Sequence, residues 1–460
     1  MKYLVFMLTF IFGVPVGAFL ARQSPKVAKV IFVLMVLAPL AKANINFFSH
    51  ELYRGDARGL EIDLTDLLAL MLFFAMALSS RYKLKLFPPH SLLFVVFYVF
   101  CIFSVLNAYV PLYSTFTLFR ILRAWFVYIV AYNYLRHDPQ HLRLAVGVFV
   151  AALLIQTGSV FKGKYLHGIY RAEGTFPHPN TLALYAEMLI PIALAVGLHR
   201  RSKWEGAHWI AVLGGMFCVL STFSRGGMAI LALSVAMTIG MSLLLRPTGR
   251  KAMLVAVLAM LGFAGVLKAS DSIIKRFQEA PKASGEARDH FNAAAKAMAD
   301  EHVFGIGLNN YPYALAETPY ARHINYVKEE AGLCHHIYWL FAGETGYVGL
   351  GAYLLFMAGF FVRAVQLMLA RPPNEYAALG VGVFGSFIGF HLHGLLEWAF
   401  RQAFIMYLFF IICALLAAAR EHHQHAKRTE FKMTSMPSVL SGKDGGTSEF
   451  KPPAASPSHI

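Results

Sequence analysis

The chain alternates long apolar runs with short polar ones. Thirteen runs lie near 3–20, 27–43, 63–79, 91–109, 113–135, 142–160, 181–198, 207–222, 226–245, 252–268, 336–361, 375–395 and 402–419. Each is continuous in Leu, Ala, Phe, Val and Gly, without the period-two alternation of a membrane β-barrel. A helix needs roughly 20 apolar residues to cross a hydrocarbon core of about 30 Å. In lipid the backbone must bond to itself, which favours helices for such runs. The pattern predicts an all-α polytopic membrane protein with 12 or 13 transmembrane helices, since the second and eighth runs are short. The first run lacks a strongly basic start and a small-residue cleavage site, so it reads as a helix and not as a signal peptide.

The polar stretches divide the chain further. Residues 1–269 form an N-terminal helix bundle, 270–334 an outward loop, 335–420 the C-terminal helices and 421–460 a polar, disordered cytoplasmic tail. No internal repeat is visible. Within the loop, Arg288 to His302 places Phe291, Ala294, Ala295 and Met298 on one stripe. That spacing predicts a short amphipathic helix lying on the membrane-embedded body.

Composition agrees with this class. The 460 residues are 57% hydrophobic and 14% charged, against about 25% charged in soluble domains. The net charge of +16 does not argue for nucleic acid, because the basic residues form no single patch and recur between the apolar runs. One set of loops holds Arg22 and Lys26; Arg81, Lys83 and Lys85; Arg136 and Arg143; Arg200, Arg201 and Lys203; Arg246, Arg250 and Lys251; Arg363 and Arg371. The positive-inside rule puts these in the cytoplasm. The segments 44–62, 161–180, 222–226, 270–334 and 396–401 then face outward. Cys101, Cys218 and Cys413 sit in apolar runs and Cys334 at a helix mouth, so no disulfide framework follows.

Candidate chemistry collects on the outward side. Tyr170–Asn180 (YRAEGTFPHPN) precedes a span and carries Arg171 and Asn180. Ser224-Arg225-Gly226-Gly227 makes a tight outward turn. Arg288 opens the loop helix, and GIGLNN at 305–310 is rich in turn residues. Cys334-His335-His336-Ile337-Tyr338 leads into a span carrying Glu344 and Gly346. Arginine suits phosphate oxygens through its permanently charged fork, and histidine can take a proton from a hydroxyl near neutral pH. Each residue alone has a plainer reading as an interfacial anchor. Their coincidence suggests an anionic lipid head and an acid–base step. Arg120 and Arg123, one turn apart inside an apolar run, fit either contact with a diphosphate or structural pairing. His391, His393 and Glu397 read as hydrogen-bonding groups between helices in preference to a metal site, for want of a third close ligand.

On these residues the sequence resembles the O-antigen ligase and O-antigen polymerase family of bacterial membrane glycosyltransferases. The similar pieces are GTFPHPNTLA at 174–183, SRGG at 224–227, ARDHFNAAAKAM at 287–298, HVFGIGLNNY at 302–311 and HHIYWLFAGETGYVG at 335–349. The resemblance implies a bacterial inner-membrane enzyme with a periplasmic site. It implies a glycan donor linked to undecaprenyl diphosphate, no metal and no nucleotide sugar. It carries the family's two arginines onto Arg225 and Arg288 and its histidine, nine residues before Glu-x-Gly, onto His335. The sequence departs from the family where a tryptophan is usual, at Asn292, and at His336, where asparagine is common.

The implied reaction is inverting transfer to an acceptor hydroxyl. Arg225 and Arg288 would neutralise the departing diphosphate and His335 would take the proton, with Arg171, Arg120, Arg123, Asn180, His336 and Tyr338 binding substrate. The acceptor would be the lipid A core of lipopolysaccharide for a ligase, or another lipid-linked repeat unit for a polymerase, with ligase favoured on overall resemblance. Membrane lipids complete the partners. The competing class is a transporter, which should show midplane charges or broken helices in two related halves; here only Arg120 and Arg123 come close.

Overall fold

The computed structural model describes residues 2–199, 205–278, 282–320, 332–371 and 374–435. Helices α1 (Lys2–Leu8) and α2 (Val14–Gln23) are joined through a π-turn into one apolar run, and Pro25 starts α3 (Pro25–Leu37). A two-stranded antiparallel ribbon follows, β1 (Asn44–Phe47) against β2 (Leu60–Asp63), with Asn44 opposite Asp63. This ribbon is an addition to the all-helical expectation. Its last residue, Asp63, closes a capping box with Asp66 at the head of α4 (Leu64–Ala77). Next come α5 (Ser91–Phe103), α6 (Pro111–His137), α7 (Pro139–Phe161), α8 (Pro179–His199), α9 (Glu205–Ser221), α10 (Arg225–Leu245) and α11 (Gly249–Gln278). The chain continues through α12 (Lys282–Glu301), α13 (Tyr311–Glu317), α14 (Ile337–Met368), α15 (Glu375–His393) and α16 (Ala403–Ser435). Proline stands in the first turn of several of these helices, where its missing N–H costs no bond.

Each of the thirteen apolar runs falls on a helix. Among the described residues eight helices are long and apolar enough to cross a membrane, while Leu64–Ala77, Ser91–Asn107 and Glu205–Ser221 are shorter. The apolar window of α8 is 94% buried and that of α16 83%, against 17% for Lys2–Gln23. The first two therefore form the centre of the bundle, and the N-terminal run lies at its edge with its apolar side chains outward.

Three boundaries differ from expectation. Helix α11 runs on to Gln278, and α12 begins at Lys282, directly after Pro281 and six residues before Arg288. The tail expected to be disordered from 421 is helical to Ser435. Glu421 anchors its start, bonded to Lys85 (2.9 Å), Arg136 (2.9 Å) and Tyr132 (2.5 Å). The rest of that tail lies outside the described residues.

The loops sort by end, as their basicity predicts. Besides Glu421 and its partners, Arg143 meets Glu375 (3.0 Å) and Arg250 meets Glu205 at the same end of the bundle. At the other end the 44–62, 161–180, 222–226, 305–311 and 396–401 segments bond to one another. Asn309 receives the Asp56 amide (3.1 Å) and donates to the carbonyls of Ala57 and Tyr113. Gly346 has φ +70°, and a methyl there would strike the Val303 carbonyl, so this break in α14 requires glycine.

The linchpin of that end is Arg401, fully buried. It forks onto Asp56 (2.7 and 3.0 Å) and reaches Glu344 (2.7 Å), whose other oxygen accepts the Tyr311 amide (3.1 Å). Removing one partner of such a cluster strands the others in a dry interior. The variant Arg401→Met is expected to lose about 3–5 kcal/mol of stability. Thermal unfolding in detergent checks this, and an unchanged midpoint would contradict it.

Candidate active site

Several elements converge on one buried carboxylate. Helix α15 is capped by Gly394, whose carbonyl accepts the Ile337 amide (2.8 Å), so the start of α14 is tied to the end of α15. The chain then turns, with the amides of Leu396 and Glu397 bonded to the His393 carbonyl, and leaves the Glu397 side chain only 4% exposed. Oε2 of Glu397 meets His335 Nδ1 at 3.0 Å. Oε1 accepts the Asn180 amide at 2.5 Å and lies 3.6 Å from Arg288 Nη2. Burial alone would push this carboxyl up. The His335 hydrogen bond and charge, with the Asn180 bond, more than reverse that and hold it down to about 2.

An ionised carboxylate can only accept, so His335 donates from Nδ1 and its Nε2 carries the lone pair when the ring is neutral. His336 is held differently. It is the N-cap of α14, and its own Nδ1 accepts the Trp339 amide at 3.3 Å. Burial lowers the His336 pKa. Adjacent in sequence, the two rings have separate tasks.

Arg288 is brought to this point by α12. Its stripe of Phe291, Ala294, Ala295 and Met298 is buried as the spacing predicts, and it packs on α14 at Gly343, where a methyl would lie 3.0 Å from the Ala295 carbonyl. Arg225 comes from the SRGG turn, in which Ser224 caps α10 by accepting the Gly227 amide (3.3 Å). A side chain at Gly226 would collide with Leu396, so the turn is seated against the residue preceding Glu397. Arg225 is exposed, and Arg288 and His335, both at the buried carboxylate, are part-exposed. Arg171 joins from the other side, donating to the Thr222 carbonyl (3.0 Å) and to Asn180 (3.4 Å).

Three candidates stand elsewhere. Arg120 is buried on Asp56 and Glu61 (2.8 Å) and on the Arg401 carbonyl (3.1 Å). Arg123 is buried on Asp63, Asp66 and Tyr407. Of the two readings open for these arginines, structural pairing describes their contacts. Tyr338 bonds His391 (3.0 Å), and His393 bonds the buried Glu187 (2.9 Å), which makes both histidines interhelical links. No group of three metal-ligating side chains occurs among the described residues.

Glu397 as the partner of His335 was not read from the sequence. The one available signal was a carboxylate in the same outward set, just beyond a span. His178, also unread, accepts the Asn180 amide at Nδ1 (3.2 Å) on the rim of the cluster.

Because Glu397 is depressed on folding, its contribution to stability is present above the ordinary carboxylate range and is lost as pH falls toward 2. Unfolding midpoints between pH 7 and pH 3 should drop for the native protein and drop less for Glu397→Gln. Parallel curves would contradict the pairing.

Residues 209–354 match the family model described as O-Antigen ligase. That segment holds Arg225, Arg288 and His335, while Arg171, Asn180 and Glu397 fall outside it. The match bears out the resemblance to the O-antigen ligase and polymerase family and points to ligase- or polymerase-type function on lipid-linked glycan and an acceptor. No curated protein matches the chain.

Proposed function

We propose that this chain, with an O-antigen ligase domain at its centre, is an inverting, metal-independent glycosyltransferase. It moves a glycan from undecaprenyl diphosphate to an acceptor hydroxyl on the periplasmic face of the bacterial inner membrane. The acceptor is proposed to be the lipid A core. The observation that carries the reading is the His335–Glu397 pair, set beside Arg288 and the Arg225 turn.

The proposed step is a single displacement. The acceptor hydroxyl attacks the anomeric carbon while its proton passes to His335 Nε2. The bond from that carbon to phosphate oxygen breaks, and undecaprenyl diphosphate departs with the electron pair and stays in the bilayer. Attack opposite the leaving group inverts the anomeric centre. Glu397 holds the ring in the tautomer that presents a lone pair, and it stabilises the imidazolium that forms. Arg225 and Arg288 offer permanent charge and paired donors to the developing diphosphate. Arg288 is 40% exposed and its contact with Glu397 is long at 3.6 Å, so it has donors left for an incoming phosphate. Arg171 and Asn180 complete the rim. Arg120 and Arg123, buried and paired with carboxylates below the surface, take no part in the proposed binding.

The test is transfer by purified protein from undecaprenyl-diphosphate glycan, with lipid A core and without it. A larger product formed only with core supports the ligase, and a ladder formed without core supports a polymerase. His335→Ala should lose about 10²–10⁴-fold in rate. His336→Ala should keep most of its rate and lose about 1 kcal/mol of stability, as a cap does. Retained activity in His335→Ala would overturn the assignment.

A further inference from the structure

A second acid–histidine pair is buried behind the Glu397 cluster. Glu187 lies on α8, about two helical turns beyond Asn180, and His393 is the last residue of α15. Their side chains are 0% and 2% exposed and meet at 2.9 Å. Burying a carboxyl group is costly unless it is bonded, so holding two helices together does not by itself account for this choice of residues. The same helices are already joined by an uncharged link, the Ser386 hydroxyl donating to the Met188 carbonyl (2.7 Å).

The pair touches both arms of the site. On one side the His393 carbonyl accepts the Leu396 and Glu397 amides (2.9 and 3.0 Å), which makes His393 the root of the turn that carries Glu397. On the other side Oε1 of Glu187 has no hydrogen-bond partner among the described residues. A methyl on Gly227 would lie 3.1 Å from that oxygen and 3.0 Å from Ala183, one turn earlier on α8. Glu187 therefore packs on the first turn of α10, whose positive end favours a carboxyl oxygen that lacks a donor. That turn opens with Arg225. The arms also meet directly, since Gly226 is seated on Leu396. The contacts close a ring from Glu187 to His393, through Leu396 to Gly226, and from Gly227 back to Glu187.

We propose that Glu187 and His393 are positioning residues for glycan transfer, their buried bond holding the Arg225 turn in register with the Glu397–His335 pair. The inference rests on the transfer reaction proposed above. Both residues are too buried to touch substrate, and each acts through a backbone segment. The diphosphate and the acceptor hydroxyl are thereby engaged at one fixed spacing. A misplacement of about 1 Å between such groups can cost on the order of 10²-fold in rate.

The test uses the full chain in detergent. Glu187→Gln keeps the shape of the side chain and removes its charge. A double variant, Glu187→Leu with His393→Leu, replaces the whole pair by apolar groups, a change that commonly preserves stability. Both should bind undecaprenyl-diphosphate glycan within a few-fold of the native protein, while the single-turnover transfer rate falls by about 10²-fold. Ser386→Ala removes the other link between α8 and α15 and should leave the rate unchanged. Hydrogen exchange supplies a readout that needs no activity. Amides of 224–228 and of 394–397 should both exchange faster in Glu187→Gln, and those of 305–311, held by the Arg401 network, should not. If the native protein transfers no glycan, the transfer reading fails, and faster exchange in both segments would still support the linkage. A Glu187→Gln rate within a few-fold of native, or unchanged exchange in the two segments, would overturn the proposal.

Discussion

A carboxylate almost without exposure, Glu397, sits where the ends of the central helices meet. A buried charge of this kind persists only if it is paired and hydrogen-bonded on its remaining lone pairs. Here the partners come from far apart in sequence: Asn180 from the head of α8, Arg288 from α12 and His335 from the turn before α14. Meeting the demand of one side chain therefore draws three segments together, and it sets the tautomer of the histidine. The Ile337–Gly394 bond and the seating of Gly226 on Leu396 give the same neighbourhood a rigid backbone frame. Arg288 is then left part-exposed beside the carboxylate.

A second network carries the load beneath. Arg401, Asp56 and Glu344, with Arg120 close by, lock the GIGLNN stretch and the kink at Gly346 to the loop around 56. These groups are buried and paired inside the protein, whereas Arg288 is part-exposed and Arg225 exposed. The difference between a structural arginine and one that solvent can reach is thus visible in its burial and not in its residue type.

The helices and their sidedness were legible in the sequence because apolar runs and loop basicity are local properties. The stripe on α12 was legible for the same reason, and Phe291, Ala294, Ala295 and Met298 are all buried. Arg225, Arg288 and His335 could be singled out by spacing and resemblance. The partners could not, since Glu397 lies 62 residues from His335 and Asp56 lies 345 from Arg401. Nor could the sequence separate His335 from His336, which requires knowing that one caps a helix while the other faces a carboxylate. The short ribbon at 44–63 escaped notice because four-residue strands leave no periodic signal.

In the proposed reaction Glu397 orients His335 for proton transfer. The most direct measurement is the single-turnover rate of glycan transfer by Glu397→Gln, with donor binding measured separately on the same preparation. A neutral amide can present its N–H to the ring and favour the wrong tautomer. The rate should fall by about 10²-fold or more while donor binding changes only a few-fold. A rate within a few-fold of the native enzyme, in a variant that remains folded, would contradict it.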